Sequence, residues 1–456
     1  MAKAARVGLV RDKEFYKSFF AMLIVLVLQN VITISVNLAD NIMLGGYAEV
    51  SLSGVAAVNQ VQFVYQQILN GIAEGAVIIG TQYFGKRQME PVKRVGAIAM
   101  RFALIIAVVL FVVVSLIPGK IVGIFTTDEA IIAQGVEYIR VIRFTYLMFA
   151  MTQILLAILR STGVVKIALV LSVSTLIINC CINYTLIYGH FGAPRLGVTG
   201  AAIGTLVARA VELIILIIFI CVKEKNLHLK LRDILVRDKD LLPVYFKVTI
   251  PVLIVSSLWG LNNATQNAIL GHMTARAIAA NSVASTLFLL VKSMAIGAAA
   301  TASFFIGKTI GEGDMDKLRS IAKTLQLLFV GVGIFSGIVL FIIRIPILSL
   351  YSLELETRQM ANQFLIILSV IVVTMSYQMP TNSGIIKGGG DTRYMMIMDL
   401  VSIWGIVIPL SFIMAFVVKA SPLVVVCCLN ADQVFKCVPA FIKCNFGHWA
   451  KKLTRA

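Results

Sequence analysis

The chain has 456 residues, of which 59% are hydrophobic and 14% charged, and its formal net charge is +18. Soluble domains carry about 25% charged residues, so this composition excludes an ordinary soluble protein and points to a polytopic membrane protein, with the lipid bilayer as its solvent. The positive charge does not signal a nucleic-acid partner, because the spans leave no soluble domain to hold a binding face.

A helix needs about 20 apolar residues to cross the hydrocarbon. Segments of that kind centre near residues 30, 68, 106, 145, 177, 210, 257, 291, 331, 369, 405 and 430. The last is interrupted by Pro422, Asn430, Asp432 and Lys436. The first follows a basic tail (Lys3, Arg6, Arg11, Lys13, Lys17) but is longer than a signal-peptide core and has no small-residue cleavage site, so it reads as a retained span. Lysine and arginine crowd this tail and the connections at 85–94, 223–247, 307–323 and 436–456. The alternate connections carry single ones: Lys120, Arg195, Arg276, Arg344, Arg358 and Lys419. Positive residues favour the cytoplasmic side, which predicts a multi-pass protein of the cell (inner) membrane with both termini in the cytoplasm.

The seven cysteines fall in predicted spans or on that same side, so no disulfide framework is expected. The histidines His190, His228, His272 and His448 are never four apart on one helix, which argues against a metal site. No histidine pair, acidic pair or phosphate-binding loop is present, so neither an enzyme nor a cofactor is expected.

The longest hydrophilic stretch, residues 223–243, divides the chain into lobes 1–222 and 244–456. Shifting the chain by 222 residues sets Ala57 on Ala279, Asn59 on Asn281, Gly75 on Gly297 and Gly85-Lys86 on Gly307-Lys308. A shift of 227 sets Arg160 on Lys387, Gly163 on Gly390 and Lys166 on Arg393. The expected fold is therefore all-α, about twelve transmembrane helices in two six-helix lobes. An even number of spans per repeat relates the lobes by a pseudo-two-fold axis along the membrane normal, and suits alternating access.

Span one carries Gln29, Asn30, Thr33, Ser35, Asn37, Asp40 and Asn41. Helical spacing puts Thr33, Asn37 and either Asp40 or Asn41 on one stripe, which must face protein or water. An ionised Asp40 in the outer half of a span costs on the order of 2.5–3.5 kcal/mol, so proton uptake is the cheaper state and the residue is a candidate coupling acid. The alternative is a structural aspartate bonded to Asn41 or to backbone near Gly45 and Gly46. Glu74 can reach water or a basic partner, Arg209 and Glu212 can pair at three-residue spacing, and Lys292 can snorkel, find a partner or repel cations.

On span five Asn179 and Asn183 stand one above the other, either lining a cavity with Asp40 or bonding helices together. In the second half the polar stretches are "SSLWGLNNATQNAILG" and "SYQMPTNSG", with Asn262 where the 222-residue shift places Asp40. No Asp or Glu occurs between Asp240 and Glu312, so ionisable function is expected mainly in the first lobe. The aromatics Phe63, Tyr65, Tyr146, Phe149, Trp259, Phe288 and Tyr377 can stack on a planar or cationic ligand, or simply pack between helices.

Five stretches, "NLADNIMLGG", "GTQYFGKR", "ILRSTG", "GVTGAAIGTLVAR" and "GIIKGGGDTR", each at a span end, together resemble the MATE (multidrug and toxic compound extrusion) transporters, most closely their DinF-like bacterial branch. The resemblance covers nearly the whole chain. It implies an efflux antiporter exporting a small-molecule organic substrate, cationic or amphipathic, against inward flow of protons or sodium. Asp40 matches the family's span-one aspartate, taken as the proton site in that branch, Asn179 its span-five asparagine and Thr205 a cavity threonine. The coupling set so read is Asp40, Asn37, Asn179, Asn183 and Thr205. The candidate substrate cavity comprises Asn41, Gln60, Tyr65, Tyr146, Trp259, Asn262, Tyr377 and Gln378.

Three departures stand out. Asn183 replaces an aspartate found in relatives. The first proline is Pro91, so span one lacks the proline that lets the family's first helix bend. A NorM-like sodium site needs a span-seven Glu and a span-ten Asp, whereas span seven has no acid and Thr381 stands where the Asp would be. Proton coupling in a monomer is the expectation. Sodium coupling, a lipid-linked sugar flippase of the same superfamily, and a receptor or channel are the alternatives.

Overall fold

The computed structural model describes residues 8–224, 238–349 and 354–454. Most of the expected 223–243 linker lies outside them. The chain runs through α1 (Lys13–Tyr47), α2 (Glu49–Gly85), α3 (Met89–Leu116), α4 (Pro118–Val122), α5 (Glu129–Ile142), α6 (Thr145–Ser161), α7 (Lys166–Tyr188) and α8 (Gly197–Val222). It continues through α9 (Leu241–Gly271), α10 (Ala275–Glu312), α11 (Met315–Leu348), α12 (Leu355–Met379), α13 (Thr392–Asp399), α14 (Ile408–Phe412), α15 (Pro422–Leu429), α16 (Asp432–Phe435) and α17 (Cys437–Phe446).

Among the described residues, ten helical segments are long and apolar enough to cross a membrane, and α5 with α6 forms one more as a pair bent by 55°. The remaining expected span is α2, which carries Asn59, Gln60, Gln62, Gln66, Gln67 and Asn70 through its middle and is not among the helices apolar enough to count. The all-α fold read from the sequence is thus the fold observed. On α3, Gly96, Ala99, Ala103 and Ala107 are buried while Ile105, Val109 and Leu116 are exposed, as suits a helix that packs on protein through small residues and faces lipid with large ones.

Two compact units form: Leu28–Gly80 with Gln88–Thr249, and Met1–Val27 with Thr81–Arg87 and Ile250–Ala456. We call them the amino-terminal and carboxy-terminal units. The 222-residue repeat is visible inside both. In the amino-terminal unit Gly75 is pressed against Thr249, whose Oγ1 would lie 1.9 Å from an added Cβ. In the carboxy-terminal unit Gly297 is pressed against Val27, whose Cγ2 would lie 2.7 Å away. Shifting the second pair by 222 residues, with its order exchanged, gives the first. Gly163 and Gly390, matched at the 227-residue shift, both take left-handed φ values, 83° and 96°.

The broken last span has a local cause. Pro422 starts α15, the chain kinks at Asn430, and Asp432 and Lys436 are buried. Beyond α17 the terminal segment folds back on the carboxy-terminal unit. Lys451 N donates to Gly389 O at 2.8 Å, and the Gln82 side chain donates to Lys451 O at 3.0 Å while accepting from Leu453 N at 2.8 Å. Asp391 receives Lys451 Nζ at 2.7 Å and Lys443 Nζ at 2.9 Å. Partial burial pushes the Asp391 carboxyl up, but hydrogen bonds from the two ammoniums outweigh it and hold the group below the usual carboxylate range. Two of the motifs, "GTQYFGKR" and "GIIKGGGDTR", thereby serve one structural purpose.

Candidate functional site

Asp40 lies near the end of α1, and its neighbours are set by how α7 and α8 pack. Gly204 on α8 has no side chain, so Asn183 of α7 comes close; a Cβ there would meet Asn183 Oδ1 at 2.0 Å. Gly200, one turn earlier, lies against the Leu186 carbonyl in the same way. This small-residue stripe on α8 is how a membrane helix pair approaches closely, and it brings the α7 amides toward α1.

The resulting hydrogen bonds run in one direction. Thr205 Oγ1 donates to Ala201 O at 3.1 Å, Asn179 Nδ2 to Thr205 Oγ1 at 3.3 Å, and Asn183 Nδ2 to Asn179 Oδ1 at 3.2 Å. Asn183 Nδ2 also donates to Asp40 Oδ1 at 2.6 Å. Each amide is turned by the one behind it, so the group reaching Asp40 is a donor and suits an ionised carboxylate. Asn183 is 0% exposed and Asn179 1%, so the chain of amides is sheltered from bulk water. Of the two stripes open to span one, the structure has Asp40 with Asn37; Asn41 is exposed and Thr33 donates to Gln29 O at 2.9 Å.

A cavity opens in front of Asp40, lined from α1 by Asn37, from α2 by Asn59, Gln62, Tyr65 and Gln66, from α5 by Tyr138, from α6 by Tyr146 and Phe149, and from α8 by Thr205 and Arg209. It leaves about 50 Å³ for the centres of water-sized molecules, room for a few waters but for no drug-sized ligand. Its wall is aromatic and polar together. Tyr65 donates its hydroxyl to Tyr146 O at 2.6 Å, with the two rings 5.3 Å apart. Gln62 lies beside the Tyr138 and Tyr146 hydroxyls, and its buried Nε2 makes no close hydrogen bond among the described residues, leaving capacity for water or a ligand.

Arg209 bonds Glu212 Oε2 at 2.7 Å, as its spacing predicts, and its guanidinium lies 4.9 Å from the Phe149 ring centre. It also acts electrostatically on Asp40. Glu74 finds its basic partner in Arg160.

The structure brings together Asp40, Asn37, Asn179, Asn183, Thr205, Tyr65 and Tyr146 from the sequence reading. It leaves Gln60 on an exposed face of α2 and Asn41 outside the lining. The α2 residues that line the cavity, Asn59, Gln62 and Gln66, recur at three- and four-residue steps, and that stripe was the signal available for them. Tyr138 and the cavity-facing role of Arg209 had none. Trp259, Asn262, Tyr377 and Gln378 belong to the carboxy-terminal unit. There Asn262 accepts from Gln266 at 3.2 Å, Tyr377 donates to Gln326 at 2.9 Å, Gln378 donates to Gln433 at 2.7 Å, and Trp259 lies under the Lys292 ammonium at 5.1 Å.

A helical membrane bundle with an internal repeat and a polar cavity around one intramembrane acid defines a transporter. The MatE family profile matches residues 26–185 and, separately, 251–413, and the chain belongs to this family of multidrug efflux transporters. It is similar to the probable multidrug resistance protein YoeA of Bacillus subtilis (strain 168), with 25% identity over 89% of this chain and 88% of the relative. It is equally similar to the probable multidrug resistance protein NorM of Thermotoga maritima, with 25% identity over 94% and 92%. Among solved structures, a crystal structure of MATE in complex with MaL6 superposes with a TM-score of 0.86 at 17% identity, covering 94% of this chain and 95% of that one.

Proposed function

We propose that this transporter exports cationic or amphipathic organic compounds across the cell membrane in exchange for protons, with Asp40 as the coupling acid. The observation that supports this reading is the 2.6 Å contact between Asp40 and Asn183, in a cavity whose other groups are neutral apart from the paired Arg209. Protonation removes the charge that holds the Asn183 donor and turns one acceptor oxygen into a donor. The chain of amides through Asn179 and Thr205 then loses its reason for that orientation, and the helices α1, α7 and α8 can repack around it. Substrate occupies a wider form of the cavity against Tyr65, Tyr146 and Phe149, and repacking expels it. Loss of the proton toward the cytoplasm resets the site, in an alternating-access cycle.

The test is Asp40→Asn, which keeps shape and removes titration. In proteoliposomes with an imposed pH gradient and a fluorescent organic cation, export should fall to background while the purified protein melts normally. Export at the normal rate would reject the role of Asp40.

A further inference from the structure

The carboxy-terminal unit contains a second buried ion cluster that the coupling scheme does not use. Lys436 Nζ sits 2.8 Å from Asp399 Oδ1 and 3.1 Å from Asp432 Oδ2. The lysine and Asp432 side chains are only 4% and 6% exposed, and Asp399 is partly buried at 24%. Asp399 ends α13 and Asp432 begins α16, so separate chain segments supply the two carboxylates. Gln433 Nε2 donates to Asp432 Oδ2 at 2.8 Å, and Gln378 Nε2 donates to Gln433 Oε1 at 2.7 Å. The next amide in this chain, Asn382, donates to Gln378 Oε1 at 3.1 Å, and its own buried Oδ1 has no partner among the described residues.

Stability does not explain such a group. A buried ion pair barely repays the desolvation of its members, and apolar side chains of the same volume do as well or better. Inside a membrane span the cost is higher still. The arrangement has instead the form of a cation site: anionic oxygens from two segments close on one monovalent positive charge, supported by amides that fix a carboxylate. We propose that Asp399 and Asp432 form a site for a monovalent alkali cation and that Lys436 fills it as a tethered cation, so that this unit draws no cation from solution.

The charge balance selects the ligand class. Lys436 supplies the one ammonium within ion-pair distance of the two carboxylates among the described residues. The charge it places between them is single, so a cation that takes its place carries the same single charge. These residues are not the span-seven and span-ten positions discussed above. The inference complements the proton-coupling proposal by naming what keeps sodium out, but its binding test requires no transport.

The experiment replaces Lys436 by methionine, which keeps the unbranched stem, is shorter by the one terminal atom and removes the charge. Purified Lys436→Met and the parent protein are melted in sodium chloride and in choline chloride at equal ionic strength, and radioactive sodium binding is measured on both. The parent should melt identically in the two salts and bind no sodium. Lys436→Met should gain a saturable, sodium-dependent rise in melting temperature and bind about one sodium ion per chain, in the place of the one tethered charge. Adding Asp432→Asn to Lys436→Met should restore salt-independent melting and abolish binding. A folded Lys436→Met that ignores sodium, a parent that binds it, a sodium response that survives Asp432→Asn, or a Lys436→Met protein that sodium cannot rescue from misfolding would each overturn the proposal.

Discussion

Asp40 in the amino-terminal unit rests against a neutral amide at 2.6 Å, whereas Asp399 and Asp432 in the carboxy-terminal unit close on an ammonium at 2.8 and 3.1 Å. The partners decide what each acid can do. A neutral donor is not left as a stranded charge when the acid takes up a proton. An ammonium whose carboxylates are neutralised is left as an unpaired buried cation, which costs several kcal/mol. One region tolerates a change of charge and the other resists it, although both carry aspartates within membrane spans.

Exchanging the acids separates these behaviours most sharply. Asp40→Asn should abolish pH-driven export with little loss of stability. Asp432→Asn should do the reverse, lowering stability by about 3–5 kcal/mol, because it breaks a buried pair, while leaving the pH dependence of residual export unaltered. Chemical denaturation and vesicle transport on both variants measure this directly. Equal stability losses at the two sites would erase the distinction.

Smaller effects refine the amino-terminal side. Gly204→Ala pushes a methyl into Asn183 Oδ1, and overpacking of this kind costs about 1–3 kcal/mol. Its export should weaken in step with Asp40 losing its donor, and Asn183→Ala should reproduce the transport defect without the overpacking.

Asp391, held by the folded-back terminus, marks a third carboxylate site, paired with two lysines but outside the spans. Its folded-state affinity for a proton is depressed, so its stabilisation is full above the ordinary carboxylate range near pH 4 and is lost as pH falls below it. Asp391→Asn should melt lower than the parent at neutral pH, and the two melting curves should converge in acid. At the small end, Asn41→Ala and Gln60→Ala on exposed faces should change stability by less than about 0.5 kcal/mol, with export unchanged, whereas Gln62→Ala in the cavity wall should alter substrate affinity.

Much of this architecture is legible along the chain. Hydropathy places the spans, including the broken last one. The matched glycines at 75 and 297 turn out to be matched contacts, because a residue without a side chain is retained where another helix comes within a methyl's width. Asp40 declares itself by being an acid in an apolar run. The readings that miss are those in which a helix offers several polar faces: Gln60 and Gln62 are neighbours in sequence but sit about 200° apart around α2. The carboxy-terminal ion cluster was invisible as a unit. Asp432 and Lys436 stand four apart and can pair on one helix, but nothing in the sequence ties them to Asp399, and ionisable function was expected mainly in the first lobe.

The sequence alone determined the membrane environment, the helices, the repeat and the family, since each depends on residues close together or on their order. Partner choice was decided only by the tertiary structure. Asn183 serves Asp40 where Asn41 was the nearer candidate, Arg160 serves Glu74, and remote Asp399 joins Lys436 and its four-residue neighbour Asp432. The reason is geometric: a side chain bonds to whatever the packing of remote helices brings within about 3 Å, and hydropathy and helical period carry no record of that distance.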